Sequence, residues 1–355
     1  MAPIFYSAFF LVPALALVGF AMEGMWLWVA PAVVFGLIPL AELILPAPTE
    51  NPDDDDAGNR LNDWRYDAII YTAVPVQTAV VVTFLVWLVS SDPSGAAYWG
   101  GVLSAGICCG ALGINIGHEL GHRTSKVDQW LAKYLLSTSL YAHFFIEHNR
   151  GHHVRVATDD DPATSRRGEW LQAFWVRSVV GGWLSAWELE KKRLNRRKMS
   201  AFHWRNEMLQ LQVIQLVGFL SIGLIFGVSA MLGFLAAAVV GALLLETVNY
   251  LEHYGLLRTQ DDRGRWSRVE PAHSWNSNCM LGRLLLFELT RHSDHHANPR
   301  RPYPVLRHFD QAPQLPTGYP GMIVVALFPP LFFALMDSRL DAHLGASPAD
   351  ALPIS

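Results

Sequence analysis

The sequence predicts an all-α integral membrane protein, with six transmembrane helices closed on one side by a histidine-rich cap. Three observations carry this. The chain has 355 residues and a positive mean hydropathy, and only 16% of its residues are charged, against about 25% in a soluble domain. Its apolar residues gather in runs near the ~20 residues that a helix needs to cross a bilayer. Nine of its histidines fall in four short segments, all placed between or after those runs.

The spans are expected at roughly 4–22, 25–45, 68–90, 97–117, 208–227 and 232–250. Glu23 and Gly24 make a tight turn between the first two. The last two divide one low-charge stretch, Met208 to Tyr250, near Gly227 to Gly233. The first apolar run begins almost at Met1, without a basic leader or a clear cleavage site. It is therefore expected to be a retained span and not a signal peptide.

Arginine and lysine set the expected orientation. Arg60 and Arg65 lie between spans two and three. Many more lie between His122 and Arg205, and from Arg258 to Arg307, while the three short connections on the other side carry none. By the positive-inside rule both termini and all charged segments face the cytoplasm. The cap is then residues 118–207 and 251–319, and every histidine segment belongs to it. One membrane domain is expected over 1–343.

Smaller features complete the survey. Residues 48–67, with Asp53 to Asp56, read as a solvated acidic loop. A helix is expected around Trp170 to Arg196, with Trp170, Phe174, Trp175, Trp183 and Trp187 at the membrane interface. Residues 321–336 are apolar but interrupted by Pro329-Pro330, and read as a buried or re-entrant segment. Residues 344–355 read as a linker. Cys108, Cys109 and Cys279 offer neither a disulfide framework nor a CxxC metal site. The net charge of −4 says little about partners; lipid is an expected neighbour, and nucleic acid is not an expected partner.

The histidines carry the chemistry. They are His118 and His122; His148, His152 and His153; His253; and His292, His295 and His296. The spacings i, i+3 and i+4 put imidazoles on one helical face, and neutral imidazole is a common ligand for iron, zinc and copper. HisGluLeuGlyHis at 118–122 superficially matches the zinc-protease HExxH string, but that would use two histidines and leave seven. A tetrahedral zinc site takes four protein ligands at most. Two metals with four or five imidazoles each would use all nine. Glu119, Glu147, Glu252 and Asp294 adjoin presumed ligands, and Asp159, Asp160 and Asp161 follow the second segment closely. These carboxylates are candidates to hold ligand imidazoles through their N–H groups. His143 is a candidate supporting residue or tenth ligand. His203, His273, His308 and His343 lack partners at ligand spacing.

Four strings resemble those of the integral-membrane alkane 1-monooxygenases. They are HisGluLeuGlyHisArg at 118–123, GluHisAsnArgGlyHisHis at 147–153, AsnTyrLeuGluHisTyrGly at 249–255 and LeuThrArgHisSerAspHisHisAla at 289–297. The first, second and fourth are shared loosely with fatty-acid desaturases; the third, centred on His253, distinguishes the alkane hydroxylases. The resemblance implies a non-haem di-iron site with two iron ions and O₂ as oxidant. It implies electrons from rubredoxin, separate or fused beyond this chain, and a bacterial inner-membrane location. The implied reaction puts one oxygen atom into the terminal methyl of a medium-chain n-alkane. It also implies a division of ligands: His118, His148, His153 and His295 on one iron, and His122, His152, His253, His292 and His296 on the other. The alternatives are a related enzyme for alkylated aromatics or fatty acyl chains, and a histidine-based metal transporter.

Three further groups of candidates follow. Ile107, Gly110, Ala111 and Ile114 run back from His118 along span four, a face about 16 Å long at 1.5 Å per residue; they are the expected substrate channel. Gly106, Gly110, Gly113 and Gly117 also form a small-residue stripe, which ordinarily serves helix packing. Glu246 and Asn249 lie two turns and one turn before His253, and an ionisable residue inside a span is a functional candidate, either bonded to a ligand imidazole or relaying protons. Lys191, Lys192, Arg193, Arg196, Arg197 and Lys198 form a basic cluster suited to steering an acidic electron donor, or to anionic lipid.

Overall fold

The computed structural model describes residues 1–345. Six of its helices are long and apolar enough to cross a membrane: α1 (Pro3–Met22), α2 (Gly24–Glu42), α4 (Trp64–Ser91), α5 (Gly95–Gly121), α9 (Glu207–Phe226) and α10 (Val228–His253). The remaining longer elements are α3 (Asp54–Leu61), α6 (Lys126–Ser137), α7 (144–155), α8 (Leu171–Asn195), α11 (Met280–Leu285), α12 (His292–Ala297), α13 (Tyr319–Ala326) and α14 (Pro329–Leu344). No β-strand forms among the described residues. The expected tail lies outside the described residues from 346 on, and Leu344 itself closes α14.

The spans begin where side chains can satisfy free backbone N–H groups. Asp63 caps α4 by accepting from Arg65 N, and Asn206 caps α9 by accepting from Leu209 N. Residues Asp53 to Asp56 are not loop: Asp53 accepts from Asp56 N and starts α3, whose first turn is acidic. Carboxylates there are favoured by the helix dipole, which is why an acidic run became helical.

α5 is the central helix and is largely buried, whereas α9 is largely exposed outside the protein core. It meets α10 closely. A Cβ on Gly106 would sit 2.5 Å from Val240, and one on Gly110 would sit 3.3 Å from the Gly241 carbonyl oxygen. The small-residue stripe therefore packs helices. Beyond the spans, α8 lies across α10 and α7. It buries Phe174 against Tyr250 (ring centroids 5.3 Å apart) and exposes Trp170 and Trp183. Phe174 is thus a core residue and not an interfacial one. α13 is buried against α10 and α2. Pro329 and Pro330 do not interrupt a helix but start α14, at positions whose N–H has no helical partner anyway.

Candidate metal centre

Each histidine segment is delivered by a helix end. α5 carries His118 in its last turn, with His122 just beyond. α10 extends further than its apolar run suggests, and His253 is its last residue. α12 is a six-residue helix carrying the other triad. Arg291, 1% exposed, ties it down by donating to the carbonyls of Leu306 (2.8 Å) and Glu50 (3.1 Å). In α7 the turn His148–His152 is a π turn, whose hydrogen bonds run i→i+5. Residues five apart then share a face, so His148 pairs with His153 and His152 points elsewhere.

The nine imidazoles form two groups. His118, His122, His148, His153 and His295 make the first, and His152, His253, His292 and His296 the second; within each, the candidate ligand atoms lie within 4.8 Å of one another. In the first group Nε2–Nε2 separations close a ring: His118 to His295 3.0 Å, His295 to His153 3.1 Å, His153 to His148 3.0 Å, His148 to His122 3.1 Å and His122 to His118 3.1 Å. In the second, His152 lies 3.2 Å from His296, which is 2.8 Å from His292, which is 3.3 Å from His253. Neighbouring corners around an ion with nitrogen bonds of about 2.1 Å stand about 3.0 Å apart at right angles. A neutral imidazole has one N–H and one lone pair, so nitrogens so gathered suit a cation between them. The residues present fit one metal ion in each group. His122 joins the first group, not the second, which corrects the expected division.

Burial keeps most of these rings neutral, the state in which they bind metal. Desolvation pushes His148, His153, His292, His295 and His296 well below the usual imidazole range, and His122 down to about 3. His152 differs. Burial disfavours its cation too, but Asp161, with Oδ2 2.9 Å from Nδ1, outweighs that and raises it.

The carboxylates sort differently from the sequence expectation. Asp159 is exposed, while Asp161 holds His152 and also accepts from Thr164 Oγ1 at 2.6 Å. Glu252 places Oε2 3.1 Å from His292 Nε2, and its Oε1 accepts from Tyr319 at 2.8 Å. Asp294 touches no imidazole; it accepts from Arg301, Asn298 and the Arg307 backbone. Glu119 faces Arg123. Glu147 accepts from Arg155. Glu246 accepts from Tyr141, Ser178 and Asn249, and not from a ligand. His143 packs edge-on against Tyr141, with centroids 4.4 Å apart, and is not in either group. His203 and His273 accept backbone N–H groups at turns, His308 meets Asn278, and His343 meets the Ala272 carbonyl.

An apolar cavity runs from the groups into the membrane region, with an empty volume of about 1020 Å³ counted to its open mouth. His118, His148 and His292 stand at one end. Ile107, Gly110, Ala111 and Ile114 line it from α5, Leu244 and Val248 from α10, and Val34, Phe35 and Ile38 from α2. On the opposite side, His122 and His153 are partly exposed beneath a surface depression edged by Asn149, Arg300 and Arg301. The basic cluster lies at the far end of α8. There Arg193 pairs with Glu190 at 2.6 Å, Lys191 reaches Glu188 at 3.2 Å, and Arg196, Arg197 and Lys198 are exposed. Sequence reasoning missed Tyr141, Ser178, Tyr319 and Arg291, which carry no spacing signal.

A helical membrane bundle with two histidine groups at one end defines the class of membrane-embedded, histidine-rich metalloenzymes. The fatty acid desaturase family model matches residues 93–326. Alkane 1-monooxygenase 2 of Pseudomonas aeruginosa is 42% identical over 90% of this chain and 85% of its own length. Alkane 1-monooxygenase 1 of Alcanivorax borkumensis is 41% identical over 92% of this chain and 82% of its own. The xylene/toluene monooxygenase hydroxylase component of Pseudomonas putida is 26% identical over 92% and 87%. This chain belongs to the alkane 1-monooxygenase family, and it is an oxidoreductase of the monooxygenase kind.

Proposed function

We propose that this chain hydroxylates the terminal methyl of medium-chain n-alkanes to 1-alkanols, using O₂, two iron ions and two electrons from reduced rubredoxin. The cavity carries the reading. An alkane has no hydrogen-bonding group, so only shape and length can select it, and a channel walled by Ile107, Ala111, Ile114, Leu244 and Val248 selects in that way. Its His118 end is where a chain inserted methyl-first would meet the metals. Eleven residues of α5 separate His118 from Ile107, about 16 Å of helix, which suits a medium-length chain. Nine gathered imidazoles and the buried carboxylates Asp161 and Glu252 suit iron, and the family relationship supports it.

The irons, when bound, would supply the activation of O₂. The protein's own residues do the rest. The apolar walls hold the chain end-on and exclude water. Asp161 fixes the ring of His152, and Tyr319 holds the Glu252 carboxylate beside His292. The basic loops between and after the spans support a cytoplasmic placement of the metal groups in a bacterial inner membrane. Rubredoxin is then reached from the cytoplasm, where His122 and His153 come nearest the surface.

The test is product analysis with octane, O₂ and a rubredoxin reducing system. 1-Octanol supports the reading. The benzylic alcohol from p-xylene without any 1-octanol would favour an alkylaromatic substrate, the reading to which the 26% relative points.

A further inference from the structure

Helix α5 carries an amide where its surroundings are apolar. Asn115, 7% exposed, sits one turn before His118 and directly after the π turn Cys109–Ile114. Such turns inside α-helices recur at functional sites. Two residues along a helix make a rotation of about 200°, so Asn115 faces away from its neighbours Gly113 and Gly117. Those glycines lie against α6 and its end, where an added Cβ would sit 2.8 Å from Thr138 Oγ1 and 3.0 Å from Leu136 Cγ. Asn115 instead lines the apolar cavity together with His118, His148 and His292.

The side chain lacks a protein partner there. Its Nδ2 is sealed from solvent and meets no hydrogen-bond acceptor among the described residues. Asparagine in a span ordinarily bonds a neighbouring helix, and a buried amide N–H left unpaired is destabilising. The cavity's other polar side chains, apart from the histidines, are engaged. Asn249 donates to Glu246 at 3.3 Å, Tyr319 donates to Glu252 at 2.8 Å, and Glu252 stands 3.1 Å from His292. Ile107, Ala111, Leu244 and Val248 offer no hydrogen-bonding side chain.

An n-alkane cannot use this amide, because it has no polar atom. The alcohol formed from it can. Its oxygen arrives on the carbon nearest the metals, one helical turn from Asn115. A hydroxyl left there without a partner would be a second unpaired group in an apolar cavity. A primary alcohol that accepts from Nδ2 satisfies both.

We propose that Asn115 is the hydroxyl-binding residue of the cavity, donating from Nδ2 to the oxygen of a primary alkanol whose alkyl chain lies along α5. The proposal rests on the alkane-oxidation reading, since it needs the oxygenated carbon at the His118 end. It makes the primary alkanol a specific ligand of the cavity, and it makes Asn115 a determinant of how long product is retained. The alternative is that Asn115 only packs, or holds a permanent water.

1-Octanol and n-nonane are matched in length and differ in one terminal group, hydroxyl against methyl. Each is tested as a competitor of octane hydroxylation. Asn115→Leu, similar in size but without the amide, should raise the inhibition constant of 1-octanol about tenfold. It should change that of n-nonane, and the KM for octane, little. A density map of the wild-type protein with 1-octanol should place the hydroxyl oxygen within about 3.2 Å of Asn115 Nδ2. An unchanged 1-octanol constant in Asn115→Leu would overturn the proposal, and so would an equal weakening of both competitors, which is what a packing role produces. A map with the hydroxyl elsewhere, or with a water still held on Asn115 while 1-octanol is bound, would overturn it whether or not the variant folds. If the wild-type enzyme forms no alkanol from octane, the alkane reading falls and this proposal with it. If it forms alkanol and the variant does not separate the two competitors, only the role of Asn115 falls.

Discussion

Asp161 places a carboxylate oxygen 2.9 Å from Nδ1 of His152, on the side of the ring away from His296. With Nδ1–H donated to Asp161, the lone pair of Nε2 is directed to the second metal-binding group. Removing such a partner typically lowers metal affinity by about 10–100-fold. Asp161→Ala is therefore expected to lose iron from the second group first, by about that factor in a chelator competition. Asp159→Ala, at an exposed position, should leave iron content unchanged.

The cavity makes a chain-length prediction with an internal contrast. Ala111 lines it about midway between His118 and Ile107. Ala111→Phe should shorten the longest alkane accepted, since each excluded methylene is worth about 1–3 kcal/mol. Gly110 also borders the cavity, but its Cβ direction meets the Gly241 carbonyl and Leu244 at 3.3 Å. Gly110→Leu should therefore lower the melting temperature by disturbing the α5–α10 contact. Product profiles over an alkane series, with thermal unfolding of each variant, check both. An active Ala111→Phe variant with unchanged chain preference would count against this channel.

Acid should weaken the iron-free protein. Burial holds six of the imidazoles outside the spans below their ordinary range, His122 at about 3. The unfolded chain takes up protons near pH 6.5 that the folded chain refuses, so stability is present above that pH and is lost as pH falls toward the folded values. His152 opposes this with the contrary shift, one ring against six. Melting temperature of the iron-free protein should fall from pH 7.5 to pH 5.5, and bound iron should be released more readily in the same direction, because protons compete for the same nitrogens. A flat profile would mean that the rings are not held neutral.

Electron delivery should depend on charge. Arg300 edges the depression over His122 and His153 and makes no ion pair among the described residues, whereas Arg301 is committed to Asp294 at 2.6 Å. Arg300→Glu should reduce kcat/KM for reduced rubredoxin severalfold at low salt, with the difference fading as salt rises. Arg196→Glu with Arg197→Glu tests the α8 cluster in the same assay. Rates insensitive to both changes and to salt would argue against charge-steered docking.

Much of this was legible in the sequence, for identifiable reasons. The spans follow from apolar run length, and the nine ligand candidates from histidine spacing in four segments. Of the division of the nine, the family resemblance put eight where the structure groups them; only His122, just past the end of α5, falls in the other group. Asp161 and Asp159 are equivalent on paper; only the turn through Thr164 buries one and exposes the other. Tyr141 and Ser178 reach Glu246 across 105 and 68 residues of chain, a distance over which spacing carries no information. The acidic run at Asp53 was misread because its charge suits a helix start as well as a loop.

The most direct measurement is anomalous scattering at the iron edge from the iron-loaded protein, with iron counted per chain. Two iron ions are expected, one among His118, His122, His148, His153 and His295, the other among His152, His253, His292 and His296. A single ion, or His122 bound with the second group, would contradict this assignment.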